Sequence, residues 1–502
     1  MLILSAEQHR ALDAATMRQD GITSLELMER AATAWTARFI SRYPDKEREI
    51  VVVCGPGNNG GDGMAIARLL RFEAYTVSAI QAEIAEGSED NLANRRRARD
   101  TGVPLRSVAK GDPLPTFLRG SIVIDALFGT GLSRPIEGYW GTLIDHINEQ
   151  EVTRVAVDLP SGLQTDRTSS GAIIRADRTL SLGYPKLCLF APANTGYLGK
   201  WELVPFRLTE VQGVEEGGSE NIMLTRTMVG PLVKVRHAND HKGTFGHALL
   251  IAGSYGKMGA AIISARALLR AGAGLVTVHV PRVGYEIMQI GLPEAMCEVD
   301  DHRYHFTSAR DVNRYDAVAI GPGLGKMEAT RQGVLRLVEE AEGPLVVDAD
   351  ALNLLSEQPG YLEKLPADSI LTPHPKEFER LFGSTDDDFS RWELQRSKAR
   401  ELRMVILLKT GYTSIAAPDG TLYLNTTGNP GMGTGGTGDA LTGIITGLLA
   451  QGYPSVDAAR LGVYLHGLAG DIAARELQQE SLLAEDVVSH LGRAFGHVKK
   501  LA

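Results

Sequence analysis

Short, unbroken apolar runs alternate with amphipathic stretches along most of this 502-residue chain. The early runs are I-V-V-V-C (50–54), Y-T-V-S-A-I (75–80), I-V-I-D-A-L (122–127) and R-V-A-V-D-L (154–159). The later ones are A-L-L-I-A-G (248–253), L-V-T-V-H-V (275–280), A-V-A-I-G (317–321), L-V-V-D-A (345–349), S-I-L-T-P (369–373) and V-I-L-L-K-T-G (405–411). Runs of this kind predict parallel strands buried on both faces. Helical patterns lie between them, so the fold class is α/β. Two helices open the chain, each with a capping-box pattern, Ser5 with Gln8 and Thr23 with Glu26. Met28, Ala32, Trp35 and Phe39 fall on one face of the second. Late in the chain Pro418-Asp419-Gly420 predicts a hairpin turn into T-L-Y-L-N.

The length exceeds one domain. Residues 209–221, T-E-V-Q-G-V-E-E-G-G-S-E-N, lack apolar periodicity and mark a linker. The expected division is a first domain over 1–210, a linker over 211–222 and a second domain over 223–502. Each half reads as a doubly wound sheet.

Composition narrows the function classes. The net charge of −9 argues against a generic nucleic-acid binder, which needs a basic surface. Anionic small molecules stay open, because helix N-termini bind anions locally. The three cysteines, Cys54, Cys188 and Cys297, are scattered and make no redox or metal pair. No apolar stretch has the length of a membrane span, and the N-terminus does not read as a signal peptide. A cytoplasmic location without membrane attachment is expected.

Chemistry concentrates after the strands. Following the first run comes G-P-G-N-N-G-G-D-G (55–63), in which Gly55, Gly57 and Gly60 satisfy G-x-G-x-x-G. Glu83 then stands where a ribose-binding acid is expected, so a nicotinamide oxidoreductase is one reading. Asn58 and Asn59 add side-chain amides, and Asp62 adds a carboxylate expected in the first helical turn. Asp125, Asp158 and Ser161 follow two further strands. Any one of these aspartates alone reads as a cap. Together with Asn59 they form a candidate crevice of oxygen ligands for a hard cation.

Near the C-terminus stands N-P-G-M-G-T-G-G-T-G-D, residues 429–439, with five glycines among the eight residues Gly431 to Gly438. An amphipathic helix follows through Leu441, Ile444, Ile445 and Leu448. Backbone N–H groups around Gly435 to Gly438 would form an anion hole at its start, with Asp439 at the mouth as a general base. No Lys-Ser/Thr pair follows, so this is not a Walker loop.

The motifs G-x-G-N-N-G-G-D-G, D-A-L-F-G-T-G-L and D-x-P-S-G-L resemble the epimerase domain of bifunctional NAD(P)H-hydrate repair enzymes. K-G-T-F-G-H-A-L-L-I-A-G-S, G-P-G-L-G, D-A-D-A-L, T-P-H-P-K-E and N-P-G-M-G-T-G-G-T-G-D resemble the dehydratase domain of the same family. The resemblance implies a Rossmann-like α/β/α sandwich followed by a ribokinase-like α/β domain. It implies epimerisation of hydrated NADH and NADPH (NADHX and NADPHX) at C6, and dehydration of the S form at the expense of ADP or ATP. Bacterial members usually take ADP and eukaryotic ones ATP.

Matching motif by motif, the resemblance assigns Asn58, Asn59, Gly60, Gly61, Asp62, Gly129, Thr130, Gly131, Leu132, Ser133, Arg134, Pro135 and Asp158 to the hydrate in the first domain. Asp158 is the candidate proton-transfer group there, and Asn59, Asp125 and Ser161 would hold K⁺. In the second domain Ala260, Gly325, His374 and Asp439 would meet the hydrate. Lys409, Thr410, Gly411, Tyr412, Thr413 and Gly438 would meet the nucleotide, with Mg²⁺ as a further cofactor. Asp348 and Asp350 read as caps of the turn that follows them or, alternatively, as water-mediated contacts to Mg²⁺. Homo-oligomerisation is expected. The competing reading is a ribokinase-type small-molecule kinase with a non-catalytic dinucleotide-binding module in front.

Overall fold

A computed structural model describes residues 1–132, 134–209, 220–358 and 360–499. The chain divides into two compact units, Met1–Asn221 and Ile222–Ala502. Most of the expected linker, up to residue 219, lies outside the described residues, whereas Asn221 and Ile222 already belong to a strand.

The first unit is built on seven strands, β1 (Ile50–Cys54), β2 (Val77–Ala82), β3 (Leu105–Val108), β4 (Ile122–Ala126), β5 (Thr153–Val157), β6 (Arg178–Leu182) and β7 (Lys200–Val204). They form one parallel sheet in the order β3-β2-β1-β4-β5-β6-β7. Every residue of β1 is buried. Ile50, Val52 and Cys54 enter one apolar cluster, Val51 and Val53 the other. That is why the run carries no polar alternation. Both opening helices, Ala6–Asp20 and Ser24–Arg42, form with their capping boxes closed. Trp35 and Phe39 stack with ring centroids 5.3 Å apart in the core, and the Trp35 indole donates to the Leu180 carbonyl.

Sequence reasoning passed over β3, β6 and β7. β3 and β7 place polar side chains at exposed or half-exposed positions, while in β6 the buried Thr179 and Ser181 interrupt the apolar run. Strands this short and this polar carry little periodic signal.

The second unit holds β8 (Asn221–Met223), β9 (His247–Ile251), β10 (Leu275–Val280), β11 (Met296–Val299), β12 (Ala317–Ile320), β13 (Leu345–Val347), β14 (Ile370–Leu371), β15 (Val405–Leu408), β16 (Ser414–Ala416) and β17 (Leu422–Leu424). The sheet order is β11-β10-β9-β12-β13-β14-β15-β16-β17-β8. It is parallel from β11 to β15 and antiparallel through β16 and β17. The β16–β17 hairpin turns at Gly420, whose N–H donates to the Ala417 carbonyl, as the sequence predicts.

Strand order reverses between β1 and β4 in the first unit and between β9 and β12 in the second. Crevices open at such reversals, outside the carboxyl ends of the strands. In the second unit the helix Met258–Arg270 packs closely on the helix Thr437–Ala450. Glycine allows this approach: a Cβ on Gly443 would stand 2.1 Å from the Ser264 carbonyl oxygen. Gly443→Ala should therefore destabilise this unit by about 1–3 kcal/mol through backbone displacement. Denaturant unfolding followed on the second unit's transition measures it.

Candidate functional site

In the first unit the carboxyl ends of β1, β4, β5 and β6 surround a cavity of about 700 Å³. The helix Asn58–Phe72 starts at its floor with Gly57 as N-cap. Two kinds of glycine meet here. A Cβ on Gly55 would stand 1.9 Å from the Leu127 carbonyl oxygen, and one on Gly60 1.8 Å from the Gly55 carbonyl oxygen. Packing alone demands those two. Gly57 has nothing within 4 Å of its Cβ direction and lines the cavity.

Asp158 sits at the turn after β5 with φ 67°, a left-handed conformation uncommon outside glycine. Its Oδ1 accepts from the Lys186 ammonium (2.5 Å), the Leu182 amide (2.9 Å) and Ser181 Oγ (3.3 Å). Lys186 is buried and gives its remaining donors to the Leu182 carbonyl (2.7 Å) and Ser181 Oγ (3.2 Å). Asp13, Asp62 and His9 also line the cavity. Burial pushes Asp62 well above the usual carboxylate range, with Asp158 and Asp13 adding like charge. Burial, with the Lys186 charge beside it, pushes His9 down to about 3.

Asp125 is fully buried at the end of β4. It accepts from the Ser161 amide (2.7 Å), Ser161 Oγ (2.5 Å) and the Leu127 amide (3.2 Å). Burial pushes it up to about 6 against those hydrogen bonds. All three donors are neutral, and among the described residues no ion-pair partner reaches this carboxylate. Asn59 packs against Gly129, and its buried Nδ2 has no hydrogen-bond partner. A buried acid facing only neutral donors leaves its negative charge uncompensated, whereas the orphaned Asn59 Nδ2 is itself a donor and calls for an acceptor.

Of the residues expected at the hydrate, Asn58, Asn59, Asp62, Gly129, Thr130, Gly131, Leu132, Arg134 and Asp158 line the cavity. Gly60 and Gly61 are buried under it, and Pro135 lies outside the lining. Ser133 lies outside the described residues. Asp62 falls in the second turn of its helix rather than the first, because the helix starts at Asn58. Glu83 accepts from Arg95 (2.7 Å) and Ser107 (2.9 Å). Its carboxylate is thus engaged by protein donors.

In the second unit a cavity of about 450 Å³ lies beside β12, β13 and the start of the helix Thr437–Ala450. Gly436, with φ 93°, is the N-cap, and the first helical hydrogen bond runs from the Ala440 amide to its carbonyl. The N–H groups of Thr437, Gly438 and Asp439 therefore have no acceptor within the helix. Lys409 lies over this end, its Nζ 3.4 Å from where a Gly438 Cβ would be. Asp348 holds the lysine at 2.7 Å and accepts from Thr442 Oγ1 at 2.6 Å. Burial pushes Asp348 upward, but Lys409 and the hydroxyl donors outweigh it and hold the carboxyl below its usual range. Asp348 makes no side-chain cap, which corrects the capping expectation.

Asp439 lines the cavity with Ala260 and Gly435. Burial, with Asp348 adding like charge, pushes its carboxyl up to about 6. Asp350 accepts from Lys257 (3.0 Å) and from the Gly325 amide (2.8 Å), and Gly325 stands outside the cavity lining. His374 caps the helix Pro375–Phe382, accepting from the Lys376 amide, while its partner Glu377 lines the cavity. Thr410 to Thr413 form the turn between β15 and β16, outside the cavity lining. Sequence reasoning missed His9, Asp13 and Lys186 in the first unit and Lys257 and Glu377 in the second. Gly-Tyr-Pro-Lys (183–186) follows the overlooked β6, which is why Lys186 carried no signal.

Comparison with known proteins follows the same division. The family model described as NAD(P)H-hydrate dehydratase matches residues 248–493. The one described as YjeF-related protein N-terminus matches residues 24–188. The bifunctional NAD(P)H-hydrate repair enzyme Nnr of Moorella thermoacetica is 36% identical over 98% of this chain and 96% of its own. The chain belongs to the family of bifunctional NAD(P)H-hydrate repair enzymes. The Escherichia coli member is 34% identical over 94% of this chain and 90% of its own. Among solved structures, the ADP/ATP-dependent NAD(P)H-hydrate dehydratase from Bacillus subtilis, co-crystallised with ATP and Mg²⁺, has a TM-score of 0.50 and 34% identity. It covers 55% of this chain and 98% of its own, so the second unit has the dehydratase fold. Among the described residues no helix is long and apolar enough to cross a membrane.

The shifted Asp439 carries a consequence for stability in this repair enzyme. A folded-state pKa of about 6 lies above the usual carboxylate value. The protonated form is thus favoured by folding. Its stabilisation is complete below about pH 4 and is lost as pH rises through about 6. Asp439→Asn should stabilise the second unit at pH 7.5 by about 1–2 kcal/mol, allowing for partial solvation, and change little at pH 4. Chemical denaturation at the two pH values reads the difference.

Proposed function

We propose that the first unit interconverts the R and S hydrates of NADH and NADPH, and that the second dehydrates the S hydrate with ADP or ATP. The observation that carries the second activity is the arrangement at Asp439: a desolvated carboxylate beside free helix N-terminal amides, with a lysine over them. Hydroxide is a poor leaving group, since bulk water has a pKa of about 15.7. Asp439 would take the proton of the C6 hydroxyl while its oxygen attacks the terminal phosphoryl group of the nucleotide. The amides of Thr437, Gly438 and Asp439, with Lys409, would meet the charge on that group. The lone pair of the ring nitrogen would then expel phosphate from C6, and loss of a C5 proton would restore the dihydronicotinamide.

Asp348 is committed to Lys409 and Thr442, and Asp350 to Lys257 and Gly325. Among the described residues no cluster of three His, Cys, Asp or Glu side chains could hold a metal ion. Mg²⁺ would therefore be held through nucleotide phosphates and water, supplying charge neutralisation there. In the first unit Asp158 would exchange the proton of the C6 hydroxyl. Its bond to Lys186 fixes its position. Asn59, Asp125 and Ser161 would hold K⁺, which would neutralise the buried Asp125 carboxylate. The three unpaired or shifted acids and bases of this cavity weigh against a non-catalytic module.

Recovery of absorbance by reduced nicotinamide, from a mixture of both hydrates with ADP or ATP, tests the reading. Asp439→Asn should lose recovery by roughly 10²–10⁴-fold and still equilibrate the epimers. Asp158→Asn should do the reverse, recovering S quickly and R only at the spontaneous rate. Wild-type dehydration should rise with pH through about 6 as Asp439 ionises. Recovery at the wild-type rate by Asp439→Asn would refute the base assignment. Separately, K⁺ should raise the melting temperature of the first unit more than Li⁺ does, and Asp125→Asn should erase that difference.

A further inference from the structure

The cavity of the first unit contains a carboxyl group that the reading above leaves idle. Asp13 lies on the helix Ala6–Asp20, one turn beyond His9, and both line the cavity. The contrast with Asp158 is sharp. Asp158 is held by an ammonium, an amide and a hydroxyl. Among the described residues no hydrogen bond or ion pair reaches the Asp13 carboxyl. Titratable and charged groups face it from each side: His9 and Arg10 on its own helix, Asp62 on the helix Asn58–Phe72, Asp158 after β5 and Lys186 after β6. Burial pushes Asp13 up to about 6, with Lys186 opposing and Asp158 adding to the shift. Asp62, pushed well above the usual range, holds its proton and gives it up poorly.

Inversion at C6 requires a planar carbon. Expelling the hydroxyl would leave an iminium ion one C5 proton away from reduced cofactor, and nucleotide-dependent dehydration would then be redundant. Opening the C6–N1 bond avoids that end. The O–H proton passes to Asp158, and its electron pair forms the C6 carbonyl. The C6–N1 pair passes to the ring nitrogen, which must gain a proton. Closure on the other face of the aldehyde reverses every transfer, so atoms and charge balance. Two proton carriers are required, one for the oxygen and one for the nitrogen.

We infer that Asp13 is the second catalytic residue of the epimerase site, giving a proton to the ring nitrogen on opening and taking it back on closure. The inference rests on the epimerase reading of the first unit. Its test is interconversion of purified S and R hydrates by the full-length protein without nucleotide, followed by chromatography. Asp13→Asn should lower the rate at saturating hydrate by roughly 10²–10⁴-fold with KM nearly unchanged. Asp13→Glu should restore part of it, and ADP-dependent recovery of the S hydrate should persist in both. Rapid epimerisation by Asp13→Asn overturns the inference, as does a change in KM alone. So does loss in Asp62→Asn but not in Asp13→Asn, which moves the role to Asp62. If wild-type protein fails to equilibrate the epimers, the epimerase reading itself falls. Should Asp13→Asn not fold, Asp13→Ser and Asp13→Glu carry the comparison, and equal rates in these two overturn the inference.

Discussion

Both units depend on one constraint: parallel strands covered on both faces have no water along their length. Each peptide group there must bond to a neighbouring strand, and a side chain must be apolar or find a hydrogen-bond partner within the protein. Asp125 stands at the margin of this rule, with every oxygen contact supplied by a neutral donor. Ionisable groups are therefore driven to the carboxyl ends, where Asp158 and Asp348 follow directly on β5 and β13. The two sites are products of that exclusion, and the reversal of strand order opens the space in front of them.

The sites use charge differently. Around Asp158 the positive partner is a lysine buried nearly as deeply as the core. Around Asp439 the positive partners are backbone amides and a lysine held away by Asp348. The first arrangement fixes a carboxylate. The second leaves one desolvated, with the lysine over the helix start tied to a different carboxylate. Proton shuttling without a leaving group suits the former, and charge build-up on a transferring anion suits the latter.

Much of this was legible before the fold was known. The fully buried strands declared themselves because burial on both faces removes polar alternation. The capping boxes at Ser5 and Thr23 closed as written, because they are local. Asp158 and Asp439 stood out because each follows a glycine-marked turn or strand end. Lys186 and Asp13 did not. Their contribution comes from β6 and the opening helix arriving at one cavity, which is a property of topology rather than spacing. Likewise Asp348 looks like a cap in sequence, because Lys409 is 61 residues away from it along the chain.

The left-handed backbone at Asp158 has an evolutionary corollary. Among residues with a side chain, aspartate and asparagine are among those that occupy that region most readily. Drift at this position is filtered by conformation, and the proposed proton transfer would add a second filter. A lineage that lost the first activity would still be steered toward Asn or Gly there, leaving a visible scar of the abandoned site in its backbone.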